Sequence, residues 1–396
     1  MRDRSTKHES GFSLLEMVIA MAVGTIVLGA AVQIYSQGVN ATWTTTQRAE
    51  MQQDFRAASN ALTKDLSMAG SGLGPGAAIA LPSTTTPVYG CDQTGTCYIN
   101  GAAVTYPKQG TTAYLYGLLP GYRDGPTLLA AQGATDAVTS IYTDATLPLD
   151  CYTAAITSTT TVTFTLPSTT SANCTATGGN AGVVAVNDAA VGLTAGDLVW
   201  FTFTGPVNIV AEVTAVAGTT PAGTVPPAGS TYTVTFAAGD VLKMNQAAAV
   251  ANSLASKYVA SPPAAALTSG YANRILVISY YINNTTTPPR LMQQISGHTP
   301  VPVAENVVYF KLSYDLFNGA TNTPAVNQPN PGSGDANDTA SNGLLPNQIT
   351  KVNILNMAMN STLSGSQFGL AKGYQGLDLQ TSVCARNLTY VNNYPN

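Results

Sequence analysis

The chain has 396 residues, with Lys+Arg 16 and Asp+Glu 20, a net charge of −4. Only 9% of residues are charged, against roughly 25% in an ordinary soluble domain, and so few cations over this length cannot build the basic face that nucleic acid demands. A hydrophobic content of 45% excludes disorder, and two histidines leave little material for general-base chemistry or a zinc centre. No enzyme activity, cofactor or metal is therefore expected. The surface must be made of Thr, Ser, Asn, Gln and Gly, a composition that fits a β-rich protein exported from the cell.

Residues 1–10 are polar and carry Arg2, Arg4 and Lys7. Gly11 follows, and then an apolar run from Phe12 to Ala31 that continues to Tyr35. About 20 apolar residues at 1.5 Å each cross a bilayer core of about 30 Å. Cations precede this run and none follows before Arg48, so the N-terminus stays cytoplasmic and the rest is exported. Glu16 interrupts the run. A carboxylate there costs up to roughly 2.5–3.5 kcal/mol at mid-membrane, less near the cytoplasmic end. No Lys or Arg lies within helical reach of Glu16, so either its partner comes from another molecule or the acid is protonated.

Gly11-Phe12-Ser13-Leu14-Leu15-Glu16 resembles the prepilin signal of type IV pilins and type II secretion pseudopilins. The resemblance implies cleavage by a prepilin peptidase between Gly11 and Phe12, followed by N-methylation of Phe12. It also implies that Glu16, the fifth residue of the mature chain, pairs with the N-terminal amine of a neighbouring subunit. Such a pair at about 4 Å is worth about 4 kcal/mol at an effective dielectric of 20, enough to offset the insertion cost once a neighbour is present. A conventional secretory signal, cut after Ala22 or Ala31, is the competing reading. It fits less well, because the apolar run exceeds the usual 7–15 residues of such signals and carries an acid near its start.

Beyond the apolar run no proline occurs before Pro75, and Met51, Phe55, Ala58, Leu62, Leu66 and Ala69 recur at three- and four-residue steps. One helix is therefore predicted from about residue 12 to 69. Residues 12–35 form a transmembrane spike and 36–69 an amphipathic spine, with Ala20 and Gly24 as a small-xxx-small step. The cluster Gly70, Gly72, Gly74 and Gly76 ends it as a C-cap and linker.

From residue 70 to 396 the pattern turns β-rich. Period-two or β-branched runs predict strands at 160–166, 197–203, 207–216, 231–236, 274–282, 307–315 and 350–359. Residues 239–260 read as a helix of poor apolar spacing. Residues 217–230 and 319–347, dense in Pro, Gly, Asn and Thr, read as long surface loops. The predicted fold class is α+β: a long N-terminal helix packed on an antiparallel β-rich head, as in pilins.

Five cysteines are present. Cys91 and Cys97 enclose a Gly-containing turn, and Cys151 and Cys174 flank the 160–166 strand, making two candidate disulfides worth about 2.4 and about 3.5 kcal/mol by loop closure. Cys384 is left over in a strand-like segment and is expected as a buried thiol. His298 stands in Ser-Gly-His-Thr-Pro and reads as an ordinary turn residue. Asp335 and Asp338 offer oxygen ligands without the spacing of a calcium-binding EF-hand loop, and read as a solvated loop.

Segments at 65–70, 196–216, 303–315 and 379–387 loosely resemble PilW-like minor pilins. That resemblance implies a minor pilin that helps initiate or assemble a type IV pilus, anchored in the inner membrane and then carried to the cell surface. Its implied partners are other pilin subunits, the prepilin peptidase and the inner-membrane assembly platform. A minor pseudopilin of a type II secretion system, or a helix-anchored adhesin, are the alternatives.

Overall fold

The computed structural model describes residues 12–73, 78–167, 183–203, 207–218, 225–246, 250–260, 271–318, 323–331, 344–364 and 374–388. Helix α1 runs unbroken from Leu14 to Met68, 55 residues, about 80 Å at 1.5 Å per residue. Its described side chains stay out of the core until Met51. From there Met51, Phe55, Ala58, Leu62, Leu66 and Ala69 are all buried, so one stripe faces the head.

The head is organised on a seven-stranded antiparallel sheet of β6 (Leu118–Gly121), β7 (Ala137–Thr143), β10 (Leu198–Phe203), β11 (Val207–Glu212), β14 (Tyr271–Asn283), β15 (Arg290–Ile295) and β16 (Val301–Glu305). β14 is its axis. Ile275 pairs with both Leu198 and Thr143, and Ile278 with both Ile295 and Ser140. One edge of β14 therefore takes β10 and then β15 end to end, while β7 lies along the other edge.

Both faces of this sheet are covered. On one face α1 packs over Val138, Ile278, Tyr280 and Ile282. It is joined there by a sheet of β17 (Val307–Asn318), β18 (Thr323–Gln328), β19 (Ile349–Ser364) and β20 (Tyr374–Cys384), in the order β18-β17-β19-β20. The same face near Phe201 and Ala272 is covered by a sheet of β8 (Thr153–Ile156), β9 (Thr161–Thr165), β12 (Ala215–Gly218) and β13 (Thr231–Thr235). There Phe236 meets Phe201 edge-on at 5.5 Å. The opposite face, with Ile141, Ile275, Val277 and Tyr281, is covered by β1 (Ala78–Ala80), β4 (Lys108–Gln109) and β5 (Thr112–Tyr116), and by the pair β2 (Val88–Tyr89) and β3 (Val104–Thr105). This is the expected α+β architecture.

Asp136 ties the two large sheets together. It is buried, and its carboxylate accepts from Lys311 Nζ at 2.6 Å, from the Arg123 N–H at 2.9 Å and from the Leu312 N–H at 2.9 Å. At the end of α1, Gly70 has φ +78°, and a side chain there would strike Leu388 at 2.7 Å. Gly117 sits equally tight, since a Cβ on it would meet the Gly70 Cα at 2.7 Å. The helix stop is thus set by close backbone packing as well as by glycine's tolerance of positive φ. Gly74 and Gly76 lie outside the described residues.

Several expectations are corrected. Residues 207–216 form two strands in two different sheets, because the chain breaks at Val213 and Thr214: the Val213 N–H goes to Asp197 O and the Thr214 N–H to Thr235 O. Among the described residues the helix expected at 239–260 is present only as α2 (Leu254–Ala260); residues 237–246 instead wrap around the carboxylates of buried Glu212 and half-buried Asp240, where backbone N–H groups find side-chain acceptors. Part of the 319–347 loop is the edge strand β18, paired along β17, and the 217–230 loop begins with the last two residues of β12. β7 is absent from the sequence reading because its burial is continuous, without alternation. Cys384 is exposed, contrary to expectation: it alternates with buried Val383 and Ala385, so the period of two turns it outward.

Leu62 is fully buried between α1 and the head. Leu62→Ala is expected to lower the unfolding free energy of the detergent-solubilised protein by about 2–5 kcal/mol in urea titrations. Leu28→Ala, in the exposed stretch of α1, should change it by no more than about 0.5 kcal/mol.

Candidate functional site

The candidate site begins at the first turn of α1. Ser13 is the N-cap, with extended backbone (φ −67°, ψ 141°), and its Oγ accepts the Leu15 N–H at 3.2 Å. Glu16 reaches back so that its Oε2 accepts the Ser13 N–H at 3.1 Å. This reciprocal pair is a capping box, which satisfies two of the N–H groups that a helix start leaves without partners. The carboxylate also sits at the positive end of the helix dipole.

The sequence reading missed Ser13, although Ser-x-x-Glu before an apolar run is a legible signal. The consequence is a correction. Glu16 finds a partner in its own chain, the Ser13 backbone N–H, so part of its desolvation cost is offset before any neighbour arrives. That partner is neutral, and the negative charge itself is left uncompensated.

Phe12 is 92% exposed, and Leu14, Leu15, Met17, Val18, Ile19, Met21, Val23, Ile26, Val27 and Leu28 are exposed with it. The helix has a mean hydropathy of 2.2 over its most apolar 18-residue window, none of it buried, and by length and composition it can cross a membrane. An apolar surface of this extent requires lipid or protein to cover it. Gly11 lies outside the described residues, so the Gly11–Phe12 junction has no described geometry.

At its other end α1 is fastened to the head by Asp65. This carboxylate is 4% exposed. Its Oδ1 accepts from the Tyr142 hydroxyl at 3.0 Å, and its Oδ2 from the Tyr280 hydroxyl at 2.6 Å and Gln293 Nε2 at 2.9 Å. Gln293 Nε2 also donates to the Tyr280 hydroxyl at 2.7 Å, and Ser140 Oγ donates to the Asp65 backbone carbonyl at 2.6 Å. Burial and the adjacent Asp65 carboxylate push both tyrosine hydroxyls well above their ordinary value, so they remain donors. Neutral donors from β7, β14 and β15 thus hold the buried acid.

The disulfide-closed loop Cys91–Cys97 is present, with S–S 2.02 Å. Cys151 is also disulfide-bonded, and its expected partner Cys174 lies outside the described residues. His298 Nε2 lies 2.9 Å from Asp197 Oδ1, beside the ion pairs of Arg274 with Asp144 and Asp197. Asp335 and Asp338 lie outside the described residues. Among the described residues no three His, Cys, Asp or Glu side chains converge where a metal ion would be held.

Residues 6–32 match the family model described as the prokaryotic N-terminal methylation motif. No curated protein and no solved structure matches the chain. The matched stretch contains Gly11, Phe12, Ser13 and Glu16 and the first turns of the apolar helix, which is the signal of type IV pilins and pseudopilins.

The Asp65 cluster gives a direct test. Asp65→Leu leaves the buried Tyr142 and Tyr280 hydroxyls without their acceptor, at about 1–3 kcal/mol each, while Gln293 Nε2 keeps the Tyr280 hydroxyl, so urea unfolding followed by circular dichroism should show a loss of about 2 kcal/mol or more. Tyr280→Phe, which removes one donor and leaves the acid two others, should cost about 1–2 kcal/mol.

Proposed function

We propose that this pilin-like chain is a minor pilin: a subunit inserted in the inner membrane through α1, processed between Gly11 and Phe12, N-methylated at Phe12, and incorporated into a type IV pilus during its initiation or assembly. One observation carries the reading. A helix that begins with the methylation motif keeps its described side chains out of the core from Phe12 to Glu50 and buries one stripe in the head from Met51 onward. The first part is a surface awaiting a bilayer and then other helices. The second part is committed to the head. Sheared off its lipid, the first part needs neighbouring subunits to cover it, which makes the assembled state the stable one.

Within that reading Glu16 has two successive partners. In the membrane-bound monomer it caps its own helix through Ser13. In the fibre it meets the Phe12 amine of an adjacent subunit, which supplies the positive charge that the capping box lacks. The implied partners are the prepilin peptidase, the assembly platform and other pilins. The head of more than 300 residues, resembling PilW-like proteins only loosely, supports a rare subunit, because so bulky a head would crowd a close-packed fibre built of identical copies. A type II secretion pseudopilin is the second reading, favoured by the same motif.

N-terminal mass spectrometry of the mature protein should find methylated Phe12; a chain that starts after Ala22 or Ala31 would refute the processing. Gly11→Val should leave the leader attached. Glu16→Gln should preserve insertion and head stability while reducing recovery in sheared-fibre fractions at least several-fold. Deletion of the gene should abolish pili if the first reading holds, and protein secretion with pili intact if the second does.

A further inference from the structure

Between Glu16 and Arg48 helix α1 carries no charged side chain. This uncharged stretch, residues 17–47, is about 46 Å long at 1.5 Å per residue, while a bilayer core needs about 30 Å. Glu16 marks the cytoplasmic end, so the surplus of about 16 Å lies on the exported side. Residues 37–47 fill it, and burial against the head starts only at Met51.

The surplus is built to face lipid. Its hydroxyls bond back to their own helix, as they do within the span: Thr25 to Ala22 O at 2.8 Å, Ser36 to Gln33 O at 2.9 Å, Thr42 to Gly38 O at 2.9 Å and Thr45 to Ala41 O at 2.8 Å. Such bonds satisfy polar groups where water is scarce. Tyr35, Gly38, Val39, Thr42 and Trp43 follow one another at helical steps on one face and line a notch of about 380 Å³. Gly38 leaves its floor open: apart from the helix's own backbone, no described atom lies within 4 Å of where a Cβ would sit. Tyr35 is 75% and Trp43 58% exposed. Helical side chains lean toward the N-terminus, so Trp43 leans back over the notch toward Tyr35.

We propose that the Tyr35–Trp43 face of α1 is a phospholipid seat: both rings lie in the glycerol and headgroup layer of the exported leaflet, and lipid fills the notch over Gly38. The inference rests on α1 spanning the inner membrane. Tyr and Trp suit this layer because each joins an apolar ring to a hydrogen-bonding group. The seat is continuous with the span below it, and charge returns only above it, at Arg48 and Glu50. It fixes how deep the helix sits. Residues 36–47 then face lipid, and the part of α1 that faces the head starts at Met51, about 12 Å beyond Trp43. The head therefore stands on the membrane surface instead of at the end of a long stalk.

The test is tryptophan fluorescence of the full chain in phosphatidylethanolamine–phosphatidylglycerol vesicles. The chain has two tryptophans, so Trp200→Phe leaves Trp43 as the reporter. Lipids brominated near the ester end of their acyl chains should quench Trp43 at least about twofold, and lipids brominated near the chain end much less, as an interfacial ring requires. Gly38→Glu, which sets a charge in the floor of the notch, should remove most of that quenching. A second reporter, Val27→Trp combined with Trp43→Phe and Trp200→Phe, lies in mid-span and should be quenched most by the deep bromines. Deep quenching of that reporter with Trp43 unquenched would overturn the seat and leave the span standing. If neither reporter is quenched, the span reading fails and the seat with it. A Trp43 shielded from aqueous acrylamide yet unquenched by lipid would put a neighbouring protein helix on this face and overturn the lipid seat. Quenching unchanged by Gly38→Glu would overturn the notch as the place where lipid docks. Should Trp200→Phe not fold, the difference between wild type and Trp43→Phe reports the same ring.

Discussion

Asp65 holds α1 against the head with a carboxylate that accepts from Tyr142, Tyr280 and Gln293, and the rest of the molecule depends on that attachment. A helix of 55 residues is otherwise a lever: its first part is apolar and exposed, and any pull on it is transmitted to the head. Apolar contact along Met51–Ala69 supplies adhesion, which is non-directional. The Asp65 cluster supplies register, because a one-residue slide of the helix would strand a buried acid and the Tyr142 and Tyr280 hydroxyls. Hydrophobic burial and a fully satisfied polar node therefore do different work at one interface.

The two acids of α1 obey the same rule in different solvents. Asp65 is buried in protein and surrounded by hydroxyl and amide donors. Glu16 stands at the end of the helix, where the backbone itself offers an unpaired N–H and a favourable dipole. Neither acid is neutralised by a cation of its own chain in the described structure. For Asp65 that state is final, since its donors are permanent parts of the sheet. For Glu16 it leaves a charge without a cation, which is the physical basis of the assembly step proposed above.

The head shows where sequence periodicity is informative and where it is not. β9 and β13, each buried on one face only, alternate visibly and are read to within a residue at either end. β7 is buried on both faces and carries no alternation to read. The 207–216 run is rich in β-branched residues throughout, yet it serves two sheets, because the Asp197 and Thr235 carbonyls capture its backbone at Val213 and Thr214. The 239–253 stretch has helix-compatible residues, and its first part is drawn out of helix by distant Glu212, which takes the Leu242 N–H, and by Asp240 within the stretch, which takes the Met244 and Asn245 N–H groups. In the candidate site Phe12, Glu16 and the apolar helix were legible, while Ser13 was overlooked despite a local motif that marks it.

The amino-acid sequence alone determined the elements whose causes are local: the methylation signal, the apolar span, the continuous helix with its buried stripe, and the singly buried strands, each written in residues a few positions apart. Only the tertiary structure decided the pairing of β10, β15 and β7 around β14, the Asp65 node, the outward turn of Cys384 and the bond from the Leu242 N–H to Glu212. Those depend on groups separated by tens to hundreds of residues, as in Asp65 with Tyr280, 215 positions apart. A hydrogen bond between such groups leaves no period in the chain, and it exists only once the sheets have brought its donor and acceptor together.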